Sequence, residues 1–216
     1  MVIGFIGGTG PEGKGLAYRF ALAGHEVVIG SRSAERADEA ARDVAGHASS
    51  QAVRGAENAS AARTADVVIL TVPFAAQAAT LPALAEALGS KIVVSTAVPL
   101  AFEGGRVSML DVLEGSAAEQ AQALLPRARV VGAFENLGAA KLWDGDLPLD
   151  QDVIVCSDDA DARRNVMSLA EEIRGVRAVD GGPLASARYV EGITALLLNV
   201  NRRYKALTGV RVVGLP

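Results

Sequence analysis

The chain has 216 residues, of which 50% are hydrophobic and 21% are charged. This length and balance predict a folded protein with a sizeable core and argue against a disordered chain. The formal charge of −4 and the sequence pI of about 5.3 do not favour a nucleic-acid surface. A single cysteine, Cys156, cannot build a disulfide framework, so we expect a cytoplasmic protein. No apolar stretch predicts a signal peptide or a membrane span.

Short runs rich in Val and Ile alternate with Ala-rich stretches along the chain. The runs lack polar alternation, which is typical of parallel strands covered by helices on both faces. Strands are predicted at 2–6, 26–29, 66–72, 91–96, 129–133 and 152–156, with a weak strand at 177–180. Helices are predicted near 14–23, 34–45, 75–88, 116–125, 161–173 and 186–207. This alternation predicts an α/β fold with a doubly wound parallel sheet.

A glycine-rich motif follows the first predicted strand and opens the first helix. It reads Gly8-Thr9-Gly10-Pro11-Glu12-Gly13 and matches the G-x-G-x-x-G fingerprint of dinucleotide-binding Rossmann domains. We expect the first glycine to permit a tight turn, the second to admit a pyrophosphate and the third to bring helix and strand close. The helix N-terminus would add free N–H groups and positive dipole. The alternative is a structural glycine-rich turn without a ligand.

The residues after the second predicted strand favour NADP over NAD. NAD-binding domains place an acidic residue here to hold the ribose 2′-hydroxyl, but this chain has no acid before Glu35. Instead, Ser31 can donate a hydrogen bond, and Arg32 can make a forked contact with a 2′-phosphate. Arg36 lies four residues on and would share a helix face with Arg32. The alternative is that both arginines are merely solvated.

Side chains that commonly carry protons or metals in dehydrogenases are missing from the expected places. The two histidines, His25 and His47, lie before the second strand and after the second helix, whereas ligands of open α/β sheets bind at the carboxyl ends of strands. No tyrosine is followed by lysine four positions later, and no Cys–His metal cluster exists. We therefore predict no catalytic side chain and no metal. Hydride transfer between two stacked heterocycles needs mainly positioning, which favours a second redox cofactor over an alcohol substrate.

Several segments, in order along nearly the whole chain, resemble the F420-dependent NADP reductase family. They are Gly7-Gly-Thr-Gly-Pro-Glu-Gly-Lys-Gly-Leu-Ala, Gly24-His-Glu-Val-Val-Ile-Gly-Ser-Arg, Leu70-Thr-Val-Pro, Val94-Ser-Thr-Ala-Val-Pro, Met167-Ser-Leu-Ala-Glu-Glu-Ile, Gly182-Pro-Leu-Ala-Ser-Ala-Arg and Leu196-Leu-Leu-Asn-Val. The resemblance implies reversible hydride transfer between NADPH and coenzyme F420. It also implies an NADP-binding Rossmann domain over 1–180 and a helical segment over 181–216 that completes the F420 pocket.

The resemblance also assigns site residues by motif. NADP would be held by Thr9, Gly10, Pro11, Glu12, Ser31, Arg32 and Arg36, with Val72, Val98 and Ala139 at its nicotinamide half. The F420 side would be bordered by Pro99, Glu135, Asn136, Leu137 and Leu197. Glu135 is a departure, because archaeal members carry histidine there, and this change bears on substrate affinity or identity. Alternatively, Glu135 is a solvated rim residue, and Leu137 and Leu197 are ordinary core.

The last predicted helix carries an apolar stripe of Val190, Ile193, Leu197 and Val200. This stripe must pack against the Rossmann body or a second subunit, and we expect a homodimer. Two other functions remain open from the sequence. One is an NADP-dependent reductase of a small carbonyl or imine substrate, and the other is a non-catalytic NADP sensor.

Overall fold

The computed structural model describes residues 1–145 and 147–215 and contains an eight-stranded sheet with helices on both faces. Its strands are β1 (Val2–Ile6), β2 (Glu26–Ser31), β3 (Val53–Glu57), β4 (Val67–Leu70), β5 (Ile92–Ser95), β8 (Arg129–Gly132), β9 (Gln151–Cys156) and β10 (Val176–Gly182), and β6 (Leu100–Glu103) and β7 (Arg106–Met109) form a separate hairpin. The helices are α1 (Pro11–Leu22), α2 (Ala34–Ala48), α3 (Asn58–Thr64), α4 (Phe74–Thr80), α5 (Ala85–Leu88), α6 (Ala117–Leu124), α7 (Ala139–Leu142), α8 (Ala160–Glu171) and α9 (Ala187–Tyr204). The predicted doubly wound α/β fold is confirmed. The last position of the predicted segment 181–216 lies outside the described residues.

The strand order is β10-β9-β8-β5-β4-β1-β2-β3, and the sheet is not parallel throughout. The strands from β8 to β3 all run in one direction. Strands β9 and β10 are parallel to each other, but β9 meets β8 in antiparallel register through the pair Gly132 and Cys156. Apolar runs without polar alternation report burial on both faces and not strand direction, so this reversal was not predicted.

Two hydrophobic clusters lie on opposite faces of the sheet. One cluster joins the sheet to α1, α2 and α8 and includes the fully buried Phe20 and Phe134, whose rings meet edge to face with centroids 5.9 Å apart. The other joins it to α3, α6 and the start of α9 and includes Leu81, Leu125 and Val190. Because both faces are covered, the carboxyl ends of the parallel strands form an accessible edge, called here the carboxyl edge.

Several elements differ from the sequence-based predictions. The helix predicted over 75–88 is broken into α4, a short 3-10 segment that begins at Pro82, and α5, because proline cannot continue the helical hydrogen bonding. The strand β3 and the β6–β7 hairpin were missed. The hairpin packs on α9, where the Asn199 side chain bonds both backbone groups of Val107, with N···O distances of 3.1 and 2.7 Å. No helix within the described ranges is long and apolar enough to cross a membrane.

The residues after α9 return to the edge of β9. The backbone N–H of Asp152 donates to the carbonyl of Val210, and the Asp152 carboxylate accepts from the N–H of Val212 at 2.6 Å. The same carboxylate accepts two hydrogen bonds from Arg177, at 3.0 and 2.7 Å. The hydrogen bond from Arg177 is the main reason that the pKa of Asp152 lies below its ordinary value. A fully buried carboxylate therefore holds the C-terminal tail to the sheet.

Candidate functional site

A groove of about 590 Å³ opens at the carboxyl edge between β1, β2 and β4, a volume within the range of ligand pockets. Of the predicted cofactor residues, the groove is lined by Thr9, Gly10, Pro11, Glu12, Gly13, Ser31, Arg32, Arg36 and Val72. Lining residues that the sequence did not single out are Gly7, Ser33, Asn58, Thr71, Pro73, Ala76 and Thr80. The glycine motif and the two arginines, predicted separately, thus meet in one cavity.

The glycine turn differs in one respect from the turn that the motif predicts. The left-handed residue is Gly7, with φ of +73°, and not Gly8, the first glycine of the fingerprint. A Cβ on Gly13 would lie 2.7 Å from the backbone of Gly8, so the third glycine does bring α1 against the loop. A Cβ on Gly10 would meet nothing within 4 Å. The N-terminus of α1 is therefore open to an anionic ligand, as the motif predicts.

Asn58, the first residue of α3, contacts this turn through its side chain. Its Oδ1 accepts a hydrogen bond from the N–H of Gly7 at 3.1 Å. Asn58 was not predicted as a site residue, because β3, the strand that ends immediately before it, was not predicted. Once β3 is recognised, a polar residue directly after its carboxyl end is the signal that would have identified this position.

Arg32 and Arg36 lie at the mouth of the groove, on the loop after β2 and on the first turn of α2. Both side chains are exposed. In the part of the chain that the structure describes, neither guanidinium has a hydrogen-bond or ion-pair partner. Ser31 is buried, and its Oγ accepts a hydrogen bond from the N–H of Ser33. The Ser33 side chain caps α2 by accepting a hydrogen bond from the N–H of Arg36. Two unpaired guanidinium groups beside an open helix N-terminus suit a ligand with several phosphates.

Glu12 lies on the first turn of α1, where a carboxylate would repel phosphate. Its Oε1 is buried without a hydrogen-bond partner, and burial raises the pKa of this carboxyl to about 8. The side chain is therefore mostly neutral at pH 7. A neutral Glu12 removes the electrostatic conflict with the anionic ligand that the glycine motif predicts here.

The segment that follows β8 is buried and conformationally constrained. Phe134 adopts a left-handed backbone, with φ of +71°, which is rare and costly for a bulky residue. Glu135 is 6% exposed, so its interpretation as a solvated rim residue is wrong. Asn136 donates to the carbonyl of Asp152 at 2.8 Å, and Leu137 packs in the hydrophobic cluster with Phe134.

The remaining predicted site residues are Val98, Pro99, Ala139 and Leu197, and they differ in burial. Pro99 is buried and Val98 half-buried after β5, and Leu197 is half-buried on α9. Ala139 begins α7, where its carbonyl faces Gly15 of α1. These residues do not line the groove of Thr9 and Arg32, so their assignment to the nicotinamide or to F420 stays a prediction.

The two histidines lie away from the carboxyl edge. His25 precedes β2 and its Nε2 lies 2.7 Å from Glu172, whereas His47 stacks on Trp143 with ring centroids 4.5 Å apart. Within residues 1–145 and 147–215, no group of three or more His, Cys, Asp or Glu residues is arranged to hold a metal ion.

Comparison with known proteins adds an independent line of evidence. The model of the family described as NADP oxidoreductase, coenzyme F420-dependent, matches residues 2–99. The F420-dependent NADP reductase of Methanothermobacter thermautotrophicus is 45% identical over 223 aligned residues, covering 100% of this chain and 96% of that protein. The chain belongs to the F420-dependent NADP reductase family.

Further members support this membership. The F420-dependent NADP reductase of Methanocaldococcus jannaschii is 42% identical, covering 100% of this chain and 99% of that protein. A crystal structure from Arthrobacter sp. FB24, provisionally described as an F420-dependent NADP reductase, has a TM-score of 0.84 at 27% identity and 99% coverage of both chains. An imine reductase from Bacillus cereus has a TM-score of 0.66 at 16% identity, covering 94% of this chain and 63% of that one. That likeness concerns the fold alone.

Proposed function

We propose that this protein catalyses reversible hydride transfer between NADPH and coenzyme F420. The observation that carries the proposal is the 45% identity, over the whole chain, to a protein named F420-dependent NADP reductase. The groove supports it, because a glycine turn and two unpaired arginines meet at the carboxyl edge. NADPH would supply the hydride, and F420 would accept it in the forward direction.

The groove fits the phosphates of NADP. The open N-terminus of α1 at Gly10 would receive the pyrophosphate, and Arg32 with Arg36 would clamp the 2′-phosphate. Ser31 would add a hydrogen bond. The neutral Glu12 leaves the positive potential of this region intact. Val72, Val98 and Ala139 are proposed for the nicotinamide half.

The F420 side is proposed for the region bordered by Pro99, Glu135, Asn136, Leu137 and Leu197, completed by residues 181–216. Its fit to a polar heterocycle rests on buried polar atoms without hydrogen-bond partners, namely Ser95 Oγ, Glu135 Oε2 and Asn136 Oδ1. Such atoms are rare in folded proteins, and a bound ligand is one way of satisfying them.

An optical assay tests this function directly. Oxidised F420 absorbs in the visible, so purified protein mixed with NADPH and F420 should bleach the absorbance and produce NADP+. The rate with NADH should be much lower, because NADH lacks the 2′-phosphate. Absence of turnover from acid to alkaline pH would contradict the proposal. Consumption of NADPH with a panel of carbonyls or imines would favour the alternative reductase, and NADP binding without any consumption would favour a sensor.

We also propose a cytoplasmic homodimer. The apolar stripe on α9 is buried or half-buried, but Tyr189, Leu196 and Tyr204 of the same helix are exposed, as is Phe102 on the hairpin. Apolar side chains grouped in this way favour a protein interface. Sedimentation should give the mass of two chains at micromolar concentration, and a monomer there would refute the dimer.

A further inference from the structure

Three glutamates from distant parts of the sequence form a group of buried carboxyls, called here the carboxyl cluster. Glu12 belongs to α1, Glu135 follows β8 and Glu191 lies on α9. Glu135 is 6% exposed and Glu191 1% exposed, and Oε1 of Glu12 is buried. Glu191 and Glu12 both act electrostatically on Glu135. Buried carboxyls normally have partners, so this arrangement requires an explanation.

The members of the carboxyl cluster have different surroundings. The Glu191 oxygens accept hydrogen bonds from the N–H groups of Ala117 and Ala118, at 3.0 and 3.2 Å, at the start of α6. Burial raises the pKa of Glu191 to about 7, and these two backbone hydrogen bonds act in the opposite direction and favour its carboxylate form. Glu12 lies beside the phosphate turn. Among residues 1–145 and 147–215, Glu135 Oε2 has no hydrogen-bond partner, and neither has Oγ of Ser95. Ser95 ends β5, where it pairs with Gly132 of β8, three residues before Glu135.

The backbone around Glu135 is held in place from several sides. Its carbonyl accepts from Thr194 Oγ1 at 2.9 Å, and the N–H of Leu137 donates to the carbonyl of Phe134 at 3.0 Å. Phe134 keeps its left-handed conformation within this network. A costly backbone conformation that fixes the next side chain is characteristic of functional positions. The side chain with the unpartnered oxygen is thus presented by a preorganised segment.

The charged and titratable groups that act on Glu135 favour its neutral form. They are Glu12 from α1 and Glu191 from α9, and Glu135 in turn acts on Cys156 of β9. Burial is the main reason that the pKa of Glu135 lies well above its ordinary value, against a backbone hydrogen bond that lowers it, and Glu191 and then Glu12 raise this pKa further when they are ionised. Burial likewise raises the pKa of Cys156 to about 12, so the thiol adds no charge. Arg188 and Glu119 act on Glu191, and Arg163 and Asp180 act on Cys156.

The proposed reaction needs a proton as well as a hydride. The hydride leaves the dihydronicotinamide with its electron pair and bonds to a carbon of the acceptor ring. One proton must reach a nitrogen of the same conjugated ring, so that NADPH, F420 and H+ give NADP+ and reduced F420. We propose that the Glu135 carboxyl supplies this proton, and that the resulting carboxylate regains a proton from solvent. This inference rests on the proposed function. In the reverse direction the Glu135 carboxylate accepts the proton.

The experiment compares Glu135→Gln with the parent protein, with Glu171→Gln as the matched control because Glu171 is exposed at the end of α8. Glutamine keeps the size of the side chain but has no acidic proton. Infrared spectra of the cofactor-free proteins, with each variant's spectrum subtracted from that of the parent protein, report protonated carboxyls directly. We expect one carboxylic C=O band of the parent protein to disappear in Glu135→Gln and to remain in Glu171→Gln. Equal bands in all three proteins would show an ionised Glu135 and overturn the inference.

Single-turnover kinetics then measure the role in reduction. The parent rate should fall as pH rises through the pKa of Glu135, whereas Glu135→Gln should be slower by about 100-fold, a typical contribution of general acid catalysis, and flat with pH. Glu135→Asp, which keeps an acid, should restore the pH dependence at a reduced rate. NADP+ affinity, measured by calorimetry, should be equal in all variants and confirms that they are folded.

The outcomes separate this inference from the proposed function. If the parent protein does not reduce F420, the proposed function fails and the role of Glu135 fails with it. If the parent protein turns over and Glu135→Gln keeps its rate and pH profile, the function stands and the inference is overturned.

Discussion

The buried carboxyl of Glu12 predicts that the free energy of unfolding falls as pH rises. The folded-state pKa is about 8, raised from 4.5 by burial. Between these two values the unfolded chain has lost the proton and the folded protein keeps it. Deprotonation therefore favours the unfolded state, and stability decreases from about pH 4.5 to about pH 8. Below pH 4.5 the two states bind this proton equally, and the penalty is absent.

The size of the effect follows from the pKa difference. A shift of about 3.5 units, at 1.36 kcal/mol for each unit, gives a ceiling of about 5 kcal/mol. Because the residue is partly exposed, solvent screening lowers this value, and we expect about 2 kcal/mol. Glu12→Gln removes the titrating group while keeping its volume. The variant should be about 2 kcal/mol more stable than the parent protein at pH 8 and should differ little at pH 4.5.

Urea unfolding at half-unit intervals from pH 4.5 to 8.5, with and without the substitution, measures this difference. Glu171→Gln, with its exposed side chain, serves as the control and should show no pH-dependent gain. The slope of free energy against urea must be equal between variants for the comparison to hold. If the free energies of unfolding of Glu12→Gln and the parent protein differed by the same amount at every pH, the assignment of a raised pKa to Glu12 would be refuted.

Three further substitutions test other parts of the structure. Arg32→Ala should weaken NADP+ binding by about 1.5–3 kcal/mol in calorimetry, since it removes hydrogen bonds to a charged group, and should leave NAD+ unaffected; equal losses would remove the 2′-phosphate assignment. Gly13→Ala places a Cβ 2.7 Å from the glycine turn and should cost about 1–3 kcal/mol of unfolding free energy, whereas Gly46→Ala, with nothing within 4 Å, should cost none. Asp152→Asn should lower the free energy of unfolding by about 1.5–3 kcal/mol at neutral pH, because it weakens the hydrogen bonds that this buried carboxylate accepts from Arg177 and from the N–H of Val212. The pKa of Asp152 is lowered in the folded protein, so its contribution to the free energy of unfolding is present above the unfolded pKa and is lost as pH falls through the folded pKa. If Asp152→Asn stayed less stable than the parent protein in acid, this reasoning would be contradicted.

Much of the fold was predictable because its signals are local. The apolar runs of β1, β4 and β5 and the glycine motif between β1 and α1 are short segments whose composition limits their conformation. The predictions failed where local composition was weak. Strand β3 has Gly55 and two charged residues in five positions, and the β6–β7 hairpin has only four residues in each strand, so neither has the signature of a buried strand.

The same distinction applies to the candidate site. The open turn near Gly10 and the position of Arg32 after β2 were predictable, because motif spacing and strand ends determine them. The burial of Glu135 was not, since its local sequence is compatible with either a solvated loop or a packed segment. Nor did the sequence indicate that Gly7, and not Gly8, adopts the left-handed conformation.

The sequence by itself therefore determined the class of fold and the glycine turn, and it predicted a phosphorylated dinucleotide as the cofactor. Only the tertiary structure decided which carboxyls are buried together, because Glu12, Glu135 and Glu191 meet through the packing of α1, the segment after β8, and α9. The protonation of a carboxyl depends on the water that its neighbours exclude and on the charges that they bring near. Those neighbours are distant along the chain, so no local pattern could indicate them.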